Sequence, residues 1–226
     1  KNSLLYLLVV PVIIALSLGL AALVEPRIPM INFFRAAYYL PVVTMMVVVA
    51  FAWKLIFETD YGLLNQWLMR LGVISRGVPW LTSERIALFT VMSVTIWKGL
   101  GYYMVMFIVG LKAVPPALTE AARIDGAGPV QTFLHVKLPC LWPVITLVSV
   151  ISSISALQVF EEIYVMTAGR IGTTTLVFRI YEEGFSLQGG GGLRMGYACA
   201  IGVVLFALLF VFTMLSVRTM NRAYTN

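Results

Sequence analysis

The chain has 226 residues, of which 60% are hydrophobic and only 12% charged, and it carries a formal net charge of +6. A soluble domain of this size carries about 25% charged residues, so the solvent for much of this surface is lipid. The basic residues are scattered, which excludes a nucleic-acid track, and two cysteines with a single histidine argue against a disulfide framework or a metal site.

A helix needs about 20 apolar residues to cross the hydrocarbon layer, and five segments reach that length. The first, Ser3–Val24, is too long for a signal-peptide core and no small-residue cleavage site follows it, so it reads as a true span. The second covers about residues 38–57, with Pro41 near its start, where proline costs least. In the loop 58–85, Leu63, Leu64, Trp67, Leu68 and Leu71 fall on one helical face and predict a short interfacial helix. The third span, about 86–111, is interrupted by "WKGLGYY" (97–103). After it comes "VPPALTEAARIDGAGPVQTFLHVKLP" (114–139). Pro115 and Pro116 can open a helix, the alanines sustain it, and Gly126 supplies the positive φ that ends it. Pro129 can open a second helix, which Pro139 is expected to stop. The fourth span is about 141–166 and the fifth 195–217. Between them, "GTTT" and "QGGGG" lack the phosphate-loop pattern, so Gly189–Gly192 reads as a flexible turn. The expected fold is an all-α polytopic bundle of about five spans, one domain over residues 1–226.

Polar side chains inside a span are costly and mark cavities or partners. In the fourth span Ser155, Gln158, Glu161 and Glu162 recur at i, i+3, i+6 and i+7, and so share a face of a continuous helix. Phe160 and Tyr164 lie beside them. In the third, Gly99 and Gly101 thin the helix just before Tyr102 and Tyr103. Hydroxyl-rich ligands need donors, acceptors and aromatic faces together, so Tyr102, Tyr103, Ser155, Gln158 and Glu161 form the candidate substrate path. Against this, membrane serines often bond their own backbone, and tyrosines populate interfacial belts. Two other functions stay open on the residues alone. Glu161 and Glu162 suit a proton relay in an ion-coupled transporter. The acidic doublets suggest glycosidase chemistry, but neighbours on a helix point about 100° apart and make no facing pair. Lys and Arg divide almost evenly between the two sets of loops, so charge leaves the orientation undetermined.

The segment "EAARIDGAGPVQTFLHVKLP" (120–139) resembles the EAA loop of permease subunits of bacterial type I ABC importers, and within them the carbohydrate group that includes the maltose and glycerol-3-phosphate permeases. "FRAAYYLPVV" (34–43), "YGLLNQWL" (61–68), residues 88–127, "VFEEIYVMTAG" (159–169) and "GYACAIGVVLF" (196–206) are similar to the same pattern, in order, over nearly the whole chain. Members of this group usually have six or more spans, which implies one upstream of residue 1. The resemblance implies a bacterial inner-membrane protein with 114–139 cytoplasmic and the loops 58–85 and 167–194 outside. It implies docking of Glu120, Ala121, Arg123, Asp125 and Gly126 on an ABC ATPase dimer that binds ATP and Mg, with no cofactor on this chain. It further implies a second, homologous permease subunit, an extracytoplasmic substrate-binding protein, and a sugar, oligosaccharide or polyol as cargo. A neutral sugar is favoured over glycerol-3-phosphate, since Lys98 is the lone cation near the candidate path.

Overall fold

The computed structural model describes residues 1–24, 38–185 and 194–225, without the side chains of 215–217 and 219–225. The segment 25–37 and the glycine run Gly189–Gly192 lie outside the described residues. Within them all regular structure is helical, and four helices are long and apolar enough to cross a membrane.

The first, α1 (Asn2–Val24), packs along α4 (Ala87–Ala113). Two glycines set how close neighbours come to α4. A side chain at Gly99 would press on Ile13, and one at Gly101 would collide with the Tyr38 carbonyl. The predicted interruption at 97–103 is thus absent: α4 is continuous, and its glycines serve neighbours rather than breaking it. The second expected span is split instead. Residues 38–43 form a helical turn, the chain bends at Thr44 and Met45, and α2 (Met46–Ile56) follows. Thr44 Oγ1 donates to the Leu40 carbonyl at 3.3 Å at this bend.

The loop 58–85 carries α3 (Leu63–Arg70) as predicted, with most of its apolar side turned outward, as an interfacial helix requires, and Leu64 packed on the core. Leu63, Trp67 and Leu71 are exposed, while Asn65 is completely buried. Asn65 Nδ2 donates to the carbonyls of Thr59 and Val78, both at 3.0 Å, and Oδ1 accepts from Val78 N–H at 3.2 Å and Trp80 Nε1 at 2.8 Å. One amide thereby closes a loop that has little apolar core of its own.

Beyond α4 lies the charged loop. α5 (Pro116–Ile124) starts on Pro116 and ends in a Schellman motif: Ala127 N–H bonds Ala122 O at 2.9 Å, Gly126 N–H bonds Arg123 O at 3.1 Å, and Gly126 has φ 83°. The short α6 (Pro129–Thr132) follows, with Gln131 Oε1 accepting from Gly128 N–H at 2.9 Å. Pro139 does not stop it. The helix widens to a π-helical turn, Phe133–Lys137, and continues through Leu138–Cys140. Pro139 has no N–H and its ring crowds the carbonyl four residues back, and the wider turn absorbs that conflict.

The fourth span is α7 (Trp142–Leu157) followed by α8 (Glu161–Met166), with a break at 158–160. A knotted turn comes next, with positive φ at Ala168, Gly169, Ile171 and Gly172. Threonines hold it: Thr167 and Thr173 hydroxyls are 2.7 Å apart, and Thr175 Oγ1 donates to Val159 O at 3.2 Å. Asn2 Nδ2 donates to Gly172 O and Thr174 O, so the start of α1 is tied to this turn. α9 (Leu176–Phe185) then packs on α10 (Met195–Thr225).

Candidate functional site

All five residues of the candidate path surround one cavity of about 580 Å³ between α1, α4 and the broken fourth span. They arrive there by a different route from the one expected. The shared face of a continuous helix does not exist, because α7 ends at Leu157 and Gln158 leaves the helix with φ −95° and ψ 8°. The break turns Gln158, Glu161 and Glu162 toward the space that Ser155 already faces. On α4, Tyr102 is half exposed and Tyr103 buried, their rings edge-to-face at 5.1 Å. Phe160 also lines the cavity and joins an aromatic cluster with Tyr164 and Tyr181, at ring separations of 5.4 and 5.2 Å. Ser152, by contrast, bonds Val148 O of its own helix at 2.7 Å.

Three cavity residues escaped the sequence reading or were left without a role. Glu162 Oε1 accepts from Thr95 Oγ1 at 3.1 Å, and the Thr95 hydroxyl lies 2.6 Å from that of Tyr6, which is fully buried. This hydrogen-bonded line joins α1, α4 and α8 across 67 and 89 positions of sequence. Lys98 lines the same space. Lys54 on α2 does not: its Nζ donates to Val165 O at 3.0 Å and caps the end of α8.

At the opposite end of the bundle, no residue of α5 is buried. Glu120, Ala121, Arg123, Asp125 and Gly126 are all exposed. Arg123 makes no ion pair among the described residues, where Arg179 and Arg194 pair with Glu182 and Glu183. Instead it borders a recess shared with Lys112 and the end of α1. Two further residues belong to this surface and were not singled out from the sequence: Leu118 is 45% and Ile124 86% exposed. With Ala121 they fall at i, i+3 and i+6, an apolar stripe beside Glu120. Their hydrophobicity in an otherwise polar segment was the available signal.

Comparison with known proteins places the whole chain. The family of binding-protein-dependent transport system inner membrane components matches residues 29–226. The arabinooligosaccharides transport system permease AraP of Bacillus subtilis is 35% identical over 221 residues, covering 96% of this chain and 66% of that protein. The sulfoquinovosyl glycerol permease SmoG of Agrobacterium fabrum is 33% identical, covering 96% of this chain and 69% of that protein. The chain thus spans about two thirds of the length of these curated relatives. A crystal structure of a bacterial ABC transporter that imports the acidic polysaccharide alginate superimposes with a TM-score of 0.87 at 25% identity, over 98% of this chain and 77% of that one. This chain belongs to the family of binding-protein-dependent transport system inner membrane components.

Proposed function

We propose that the chain is the permease subunit of an ATP-driven importer in the bacterial cytoplasmic membrane, and that its cavity is part of the path of a sugar, oligosaccharide or polyol. One observation carries this reading: a polar, tyrosine-lined cavity lies within the spans, and a short helix with no buried residue projects at the other end. A chain acting alone has no use for the second. In this reading α5 lies on the cytoplasmic side and the loops 58–85 and 167–194 outside. Glu120, Ala121, Asp125 and Gly126, with Leu118 and Ile124, enter a groove of an ATPase dimer, as short helices do with apolar anchors. ATP and Mg²⁺ are bound on that partner, and this chain transports rather than catalyses. A second, homologous permease completes the path. An extracytoplasmic binding protein delivers the cargo; the alginate importer has been solved together with such a periplasmic protein.

The test is affinity purification of the chain from its native membranes in mild detergent. An ATPase subunit and a second permease should accompany it, and both the ATPase and ATP-dependent uptake should be lost when 120–126 are scrambled. Gly126→Pro and Asp125→Ala should each cut uptake with the chain still in the membrane. A chain that purifies alone and supports uptake abolished by an ionophore overturns the reading in favour of an ion-coupled carrier.

A further inference from the structure

The relatives' substrates differ in charge, from arabinooligosaccharides to acidic alginate, so the sign of this chain's cargo has to be read from its own cavity. Among the described residues lining that cavity, three bear charge: Lys98, Glu161 and Glu162. No ion pair within 4 Å joins Lys98 to either carboxylate among the described residues. Glu162 is held where it is. The Thr95 hydroxyl has one proton and directs it to Glu162 Oε1, so in the Tyr6–Thr95 contact Tyr6 is the donor. Both protons therefore run one way, from α1 through α4 toward the carboxylate, and keep it facing the cavity. Two carboxylates against one ammonium leave the recess with one net negative charge, which a concave site focuses on whatever enters it.

We propose that Glu162, positioned by Thr95 and Tyr6, is a specificity-determining residue that makes the cavity accept uncharged polyhydroxyl compounds and reject anionic sugars. The proposal rests on the cavity being the sugar path. A neutral sugar donates its hydroxyl protons to the carboxylates and accepts one from Lys98. A uronate or a sugar phosphate adds an anion to a site already negative, and one like charge at such separations costs roughly tenfold in binding.

The assembled importer, purified without its binding protein so that the cavity alone is read, is titrated by saturation-transfer NMR. The probes are methyl glucoside and methyl glucuronide, which differ only at C6. The wild type should prefer the glucoside roughly tenfold. E162Q should bring the two to parity, and K98M/E162Q, which restores the net charge, should recover the preference although it alters two residues. E161Q removes the same charge without touching the Thr95 contact and should reproduce parity, which guards against a poorly folded E162Q. Equal binding of the probes to the wild type overturns the proposal, as does parity persisting in K98M/E162Q, since a lost hydrogen bond rather than a lost charge would then be responsible. If neither probe binds the wild type, the sugar reading of the cavity itself falls.

Discussion

The two kinds of loop in this chain are built on opposite principles. The segments 58–85 and 167–175 are closed by buried polar side chains: Asn65 and Thr173 have no exposed surface and Thr175 only 2%. The segment 114–139 has one buried residue between Val114 and Leu141, Thr132, and is shaped by local devices such as a starting proline, a Schellman turn and a π-helical turn. A loop that supplies its own hydrogen-bond partners is finished as it stands. A loop shaped by short-range bonds along its own backbone leaves the outer face of α5 uncovered, and on that face stand Leu118 and Ile124, which soluble surfaces seldom display together.

Substitutions can break or sharpen this contrast. The largest effect is expected from Asn65→Ala, which leaves buried partners unpaired and should cost about 3 kcal/mol or more. It reads out as a lower thermal midpoint in detergent, and a shift no larger than that of a surface change would remove Asn65 as the hub of its loop. Thr173→Val removes the hydroxyl that meets Thr167 and donates to the Arg170 carbonyl and should cost about 1–2 kcal/mol by the same measurement. Gly126→Ala places a side chain at φ 83° and should cost about 1 kcal/mol, while cutting uptake more than that loss of stability explains. Ile124→Asp should move the midpoint by less than about 0.5 kcal/mol and still weaken ATPase co-purification. A pronounced fall in stability there would show that Ile124 packs within the chain and that the two loops are alike after all.

What could be read in the sequence follows the range of the forces involved. The α5 turn was legible because Pro116, the alanines and Gly126 act over four or five residues. Four of the five expected spans were legible because hydrocarbon thickness sets a minimum length; the second, split at Thr44 and Met45, was not. The break at 158–160 was not, since Gln158 and Val159 do not oppose helix strongly; the carbonyl of Val159 is taken by Thr175, 16 residues on. Nor was the burial of Asn65, which had no visible partner until Val78 and Trp80 folded back over it. The cavity's membership was anticipated on a continuous-helix premise that the fold does not keep. The Tyr6–Thr95–Glu162 line had no sequence signal, since nothing local connects its members.

The interrupted fourth span also bears on how the membrane stays insulating. Where α7 ends, the Ile154 carbonyl takes the Gln158 N–H, but no backbone donor among the described residues reaches the carbonyls of Ser155, Ala156 and Leu157. In hydrocarbon each such acceptor is costly, so the recess has to be wet or filled by a ligand's hydroxyls. A wet recess shortens the dielectric barrier on its own side. The burden of stopping ion leakage then falls on the dry stack toward 114–139, where Met104, Phe107, Leu141 and Val148 are fully buried and Leu111 nearly so.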